Sequence, residues 1–518
     1  MSATGESLLP RGTRRVGPAR ALGAAASRAL AYDRVTAVPR HDGLTLFSAA
    51  WAVAQLFSLA EDRWMMVGDR GLPLLVLGWA AVGLCCAVLV RPRVTALLAA
   101  LAAVMVALYV LRLPVPSNNK TISFVMNLSL LLVLAAVWLR RPSGAEARAR
   151  PGADLREVAY ERARVAARAL LAVMYFYGIF HKVNTDFLHP EVSCAVALYV
   201  PLAAPFGLED NLVGRYGAIW ATFVLEAIAI VALYWRRWFA VGLVIALAFH
   251  YVIPISGYSW YMDFSSLVFA LYLLSVPKQV SGEVHDRAHR LLHPVRGARL
   301  VGRLGPVALG LGVLAGGVAV VSALSLAFPG RQPALLYHSV WMLAFAAYGG
   351  AVMVALTAAA LRHLPHDGPG SPRQPAWVFA LPAVFFVSCL SPYVGLKTDS
   401  AINMYSNLHT EGGETNHLLL PWGPPYLFDY QRHLVRPVES SDPRLQALAS
   451  EGQWMVRFAF EERMRRFPAH WATVETNAGE RLERVTAATL GTERPSLAER
   501  KFLMFKDVDF DRPKVCTH

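Results

Sequence analysis

Apolar residues in this chain run in long unbroken blocks, with the charged positions gathered between them. A helix needs about 20 apolar residues to cross the hydrocarbon layer of a bilayer, because its backbone groups find partners only within the segment. About eleven blocks approach this length, at 43–60, 72–90, 94–111, 121–139, 165–180, 216–235, 238–255, 258–276, 305–328, 334–361 and 376–396. The pattern predicts an all-α polytopic membrane protein with about eleven transmembrane helices. Beyond residue 396 the blocks stop. A helical pattern over 442–467 and a strand pair over 471–485 predict a small α+β extramembrane domain in the C-terminal 397–518.

Composition sharpens this picture. Of 518 residues, 55% are hydrophobic and 17% charged, more apolar than one soluble core requires. The net charge of +14 sits mostly in a few loops. With the N-terminus inside, the arginines and lysines of Arg91 and Arg93, of 140–164, of Arg236 and Arg237, of 278–303, and Arg362 with Arg373 all face the cytoplasm, as the positive-inside bias demands. An odd number of crossings then puts 397–518 on the extracytoplasmic side. The first forty residues, with Arg11, Arg14, Arg15, Arg20, Arg28, Arg34 and Arg40 and no small-residue cleavage site, read as a retained basic cytoplasmic arm. The expected organisation is thus an arm over 1–40, a membrane domain over 41–396 and an external domain over 397–518. Arginines that flank apolar spans argue for a lipid partner and against nucleic acid. No Gly-rich phosphate loop supports ATP-driven transport.

Chemistry concentrates at the outer ends of the spans. His181 and Lys182 close the fifth block and are followed by Asn184 and Asp186. A lysine at the edge of hydrocarbon is desolvated, which favours the neutral amine and lets it act as a base; the alternative is a lysine snorkelling to the interface. His250 closes the apolar run 238–249 of the seventh block, with Tyr251, Tyr258, Trp260 and Tyr261 nearby, either as a proton shuttle or as part of an aromatic belt. Glu226 lies within the sixth block, a functional position by default or the structural partner of a neighbouring helix. His409, Glu411, Glu414 and His417 match no metal-ligand spacing, and no metal is expected. His285, His289 and His293 alternate with arginine and belong to a basic interfacial helix. Cys85, Cys86, Cys194, Cys389 and Cys516 show neither metal nor disulfide spacing and read as small buried hydrophobes.

Three of these segments together resemble a known family. The run 178–188 (Gly-Ile-Phe-His-Lys-Val-Asn-Thr-Asp-Phe-Leu) is similar to the segment after a transmembrane helix in vitamin K-dependent gamma-carboxylase and its bacterial relatives, the HTTM (horizontally transferred transmembrane) proteins. Phe249-His250 with the later Asp263-Phe-Ser265 resembles the family's Phe-His and Phe-Ser segments. The run 403–417, with Glu411, Gly412, Gly413, Asn416 and His417, is similar to the Glu-Gly-Gly-x-x-Asn-His signature of the bacterial members. The resemblance covers roughly 42–485. It implies that Lys182 is the base that deprotonates a reduced vitamin K, a menaquinol-like quinol arriving through the bilayer, and that His250 supports it. Oxygenation of the quinol would then drive lyase-type carboxylation. Asn119 and Lys120 stand where the family has Asn-His, so the resemblance implies altered or lost chemistry at that position. The chain is also shorter than the animal enzyme, which leaves peptide carboxylation unsupported. The competing readings are a non-catalytic or solute-transporting protein on the same scaffold, with Lys182, Glu226 and His250 lining a polar cavity, and a membrane anchor that displays the tail.

Overall fold

A computed structural model describes residues 43–66, 71–115, 117–139, 155–256, 261–296, 333–363, 374–421, 427–491, 494–510, 513–514 and 516. The apolar blocks fold as helices α1 (Gly43–Glu61), α2 (Leu72–Val90), α3 (Thr95–Arg112), α4 (Asn118–Leu139), α5 (Leu155–Phe180), α6 (Cys194–Ala203), α7 (Leu212–Tyr234), α8 (Phe239–Ile255) and α9 (Met262–Ser275), then α10 (Lys278–Arg296), α11 (Pro333–Arg362) and α12 (Ala380–Cys389). Seven of the described helices are long and apolar enough to cross a membrane: α1 to α5, α7, and Tyr337–Arg362 within α11. Their outer faces carry bare apolar side chains, Val213 at 82% exposure and Leu343 at 65% among them. That arrangement suits hydrocarbon as the surrounding solvent, since no polar face is kept for water.

The remaining expected spans differ in length. Blocks 238–255 and 258–276 give helices of 17 and 14 residues, the second stopping just before Pro277. Block 376–396 is broken into a 3-10 turn, the ten-residue α12 and another 3-10 turn. Pro392 accounts for the second break, because it cannot donate to a continuing helix and biases the preceding residue away from it. Block 305–328, the arm over 1–40 and the arginines of 140–154 lie outside the described residues. α6 is a short helix that no block predicted. Its Pro201 and polar flanks hide it from a hydropathy reading, while Ser193 caps it by accepting from Ala195 N.

Close packing positions the site. α7 and α8 meet at Gly242, where a Cβ would come within 2.6 Å of Ala232 Cβ and 2.8 Å of Leu233 N. A small residue is required for this approach, as between helices in lipid. α1 and α4 share buried polar bonds, Trp51 Nε1 donating to Asn127 Oδ1 at 3.0 Å and Gln55 Nε2 to Ser123 Oγ at 3.2 Å.

The C-terminal region folds around strands β1 (Leu434–Ser440), β2 (Met455–Val456), β3 (Trp471–Thr476) and β4 (Arg481–Thr486), in the order β2-β1-β3-β4 and antiparallel throughout. The helical pattern over 442–467 divides into α13 (Pro443–Glu451) and α14 (Arg457–Arg466), with β2 between them. Asp442 caps the start of α13 and Gly452, in the left-handed conformation, ends it, which forces the split. The first strand went unread because Pro437 interrupts it. α15 (Leu497–Phe502) follows, opened by a Ser496–Glu499 capping box. One disulfide corrects the reading of the cysteines: Cys194 is bonded to Cys516 across 322 residues of sequence, a pairing that spacing could not suggest.

Candidate functional site

The turn after α5 delivers Lys182 into a cavity of about 110 Å³ with mainly apolar walls. Its Nζ donates to Glu226 Oε1 at 2.8 Å, to Glu226 Oε2 at 3.0 Å and to the Gly178 carbonyl at 2.9 Å. Lys182 and Glu226 are both buried, and Glu226 reaches across from the middle of α7. His250 of α8 lines the same cavity. Its Nε2 lies 3.2 Å from the Tyr175 hydroxyl, which in turn contacts the Tyr272 hydroxyl. Nδ1 of His250 is buried and has no hydrogen-bond partner among the described residues. An apolar hollow therefore holds an ion pair, a phenol relay and an imidazole nitrogen left free to bind something else.

Tyr175 was not singled out from sequence, although a signal exists. It precedes Lys182 by seven residues, two helical turns, so both project to one side of α5 and its exit. Tyr272 carried no such signal, being one aromatic in a block of them.

Lys120 occupies a separate place. Its Nζ pairs with Asp62 Oδ2 and Asp263 Oδ2, each at 2.9 Å, and donates to Ser58 Oγ at 2.8 Å. Arg112 binds Asp62 through two bonds of 2.7 Å, and Asn119 Nδ2 donates to Asp263 Oδ2 at 2.5 Å. These groups join α1, α3, α4 and α9 beside a hollow of about 20 Å³, a volume on the scale of one water. Lys120 and Asn119 do not line the Lys182 cavity, whereas their neighbour Asn118 does. Asp62 escaped the sequence reading because it sits just past an apolar block, where a carboxylate looks solvated, and Asp263 entered it only as part of the Asp263-Phe-Ser265 segment, with no role assigned.

The other candidate site residues do not line the cavity and tie the turn after α5 to the 403–417 run. His181 is fully buried, with Nδ1 2.6 Å from the Tyr393 hydroxyl and Nε2 2.9 Å from the Ala401 carbonyl; burial holds it down at about 3, so it stays neutral. Asn184 donates to the carbonyls of His181 and Ser406 at 2.7 and 2.6 Å. Asp186 accepts from Asn416 Nδ2 at 2.9 Å and from Lys514 N at 2.8 Å. His417 bonds the Phe180 carbonyl through Nε2 at 2.9 Å. The 403–417 run is thus stitched to the 181–187 turn, and the two fix the exit of α5.

Glu411 lies inside that run. Burial pushes its carboxyl up, but Lys514 and His409 outweigh this and hold it below the usual range. Gly412, at φ +75°, and Gly413, at φ +94°, shape the bend. At Gly412 a Cβ would come within 2.7 Å of Phe510 Cζ and 2.9 Å of Leu434 Cδ1, so no side chain fits. Glu414 and His417 do not converge with His409 and Glu411. Among the described residues no group of three or more His, Cys, Asp or Glu is arranged to hold a metal.

Compared with protein-family models, with curated proteins and with solved structures, the chain matches none.

Proposed function

We propose that this chain is a membrane enzyme of the carboxylase-like HTTM type, whose Lys182–Glu226 pair and His250 act on a lipid-soluble quinol in the cavity behind α5. One observation carries the reading: a buried amine–carboxylate pair and an imidazole with an unused nitrogen share an apolar hollow. The volume of about 110 Å³ is less than the roughly 150 Å³ that accommodates a benzene ring. A quinol would therefore place only the edge that carries its reacting hydroxyl in the hollow, with the rest of the ring and any isoprenoid tail outside it.

The pair answers the difficulty of having a base in an apolar place. An ammonium–carboxylate pair and an amine–carboxylic acid pair carry the same net charge. Lys182 reaches its basic form when one proton crosses the hydrogen bond to Glu226, whose heavy atoms are 2.8 Å apart, with no charge brought in from water. His250 Nδ1 is then the group that holds the ring hydroxyl through a hydrogen bond, while Tyr175 on Nε2 fixes the imidazole orientation. A quinol supplies a hydroxyl whose deprotonation opens its ring to oxygen.

The same proposal includes topology. The shorter helices α8, α9 and α12 join the seven long ones, and block 305–328, outside the described residues, brings the membrane domain to about eleven crossings, with the N-terminus cytoplasmic and the C-terminal region outside. The distribution of arginine between loops supports that orientation, as does the Cys194–Cys516 disulfide, since such bonds persist in oxidising compartments.

The test is turnover of vitamin K hydroquinone by purified protein in micelles, followed chromatographically. Lys182→Ala should lower it by at least about a hundredfold, the usual worth of a positioned base. Turnover unchanged in that variant sinks base chemistry at this position. Solute flux in proteoliposomes that survives loss of Lys182 would favour the transport reading instead.

A further inference from the structure

A second hollow, of about 620 Å³, lies between α3, α4 and α12 and reaches the extramembrane residues. That is within the range of small-molecule sites, about 300 to 1,000 Å³. Phe124 and Leu128 of α4 form one wall, and Leu381, Val384 and Phe385 of α12 form the facing one. The spacings of three and four residues make an apolar stripe on each helix. Val384 is 65% exposed, so the hollow is an open groove along α12.

Its extramembrane end is cationic. Lys397 and Lys501 both line it, and neither makes an ion pair with a described residue. Lys501 Nζ donates to the carbonyls of Leu111 and Leu113 at 3.2 and 2.9 Å, at the end of α3. Lys397 is only 5% exposed; its Nζ has the Ser400 carbonyl at 3.4 Å and the Phe502 ring at 4.2 Å. The carboxylate that acts on Lys397, Asp399, lies beyond ion-pair distance and is drawn more strongly by Lys506, whereas native structures pair buried charges closely. Burial holds the Lys397 amine down at about 8, which still leaves it mostly charged at neutral pH.

From the apolar groove and its cationic end we infer that this is a binding site for an anionic lipid, the acyl chain lying between α4 and α12 and the head group pairing with Lys397 and Lys501. Charge complementarity selects the occupant: a neutral chain would leave Lys397 and Lys501 with no anion closer than Asp399, which Lys506 also draws on. A fatty acid and an anionic phospholipid share the required chemistry. The site is independent of the Lys182 cavity, so it stands or falls apart from the proposed reaction.

Delipidated full-length protein in a nonionic detergent would be titrated with cis-parinaric acid, a fluorescent fatty acid, and with its uncharged methyl ester. The acid should bind about tenfold more tightly than the ester or better, the scale of a charge-assisted contact. Lys397→Met should remove most of that preference. Val384→Trp, placed in the open wall, should weaken both ligands while near-ultraviolet circular dichroism remains that of the folded protein. Native mass spectrometry of undelipidated protein would separate the sources, since fatty-acid and phospholipid adducts differ in mass. Equal affinity for acid and ester, or binding untouched by Val384→Trp, overturns the inference.

Discussion

Replacing Glu226 by methionine tests whether the Lys182 pair is a real energetic unit. The variant leaves the Lys182 ammonium with the Gly178 carbonyl at 2.9 Å and the Phe187 ring at 5.9 Å. Two charge-assisted bonds of 2.8 and 3.0 Å are lost, and side-chain exposures of 10% for Lys182 and 9% for Glu226 leave little room for water to replace them. Breaking a buried pair from one side costs about 3–5 kcal/mol, mostly because the surviving charge stays buried. Removing both charges avoids that penalty. The Lys182→Met/Glu226→Met double variant should therefore lie far closer to wild type than the sum of the single variants, with a coupling of roughly 2–3 kcal/mol. Equilibrium unfolding in mixed micelles with sodium dodecyl sulfate, read by tryptophan fluorescence, measures all four corners of the cycle. Additive losses, or a Glu226→Met variant within about 1 kcal/mol of wild type, would refute the reasoning.

Three further outcomes follow from the geometry. Gly412→Ala should destabilise by about 1–3 kcal/mol, because a side chain is strained at φ +75° and its Cβ strikes Phe510 and Leu434; a lowered melting temperature in micelles checks it, and an unchanged one contradicts the packing at that bend. Cys194 and Cys516 should resist maleimide until a reductant is added, and Cys516→Ser should cost about 2–5 kcal/mol by freeing the C-terminal end; ready labelling without reductant would deny the bond. His181 binds a proton in the folded protein only near pH 3, whereas its ordinary value is 6.5. The unfolded state therefore takes up the proton first, and stability should fall as pH drops from 6.5 toward 3, by up to about 1.4 kcal/mol per pH unit. His181→Asn should flatten that dependence, and an equally steep decline in the variant assigns the acid sensitivity elsewhere.

Residue order alone determined the gross architecture. Long apolar blocks make helices whatever their neighbours do, because hydrogen bonds within a segment close within that segment. The strand pair at β3 and β4 was legible for a similar reason, since alternation and a short turn are local signals. Lys182, Glu226 and His250 were visible as ionisable residues in or beside apolar blocks, conspicuous because burying them is expensive. Their assembly was not visible: the separation of 44 positions between Lys182 and Glu226 is bridged by the packing of α7 against α5. Likewise only the fold decided that Lys120 belongs to the Asp62 and Asp263 network, that the 403–417 run braces the 181–187 turn, and that Cys194 finds Cys516. A partner's distance along the chain carries no information about its distance in space once helices pack, and charge pairing and disulfide bonding depend on the second distance alone.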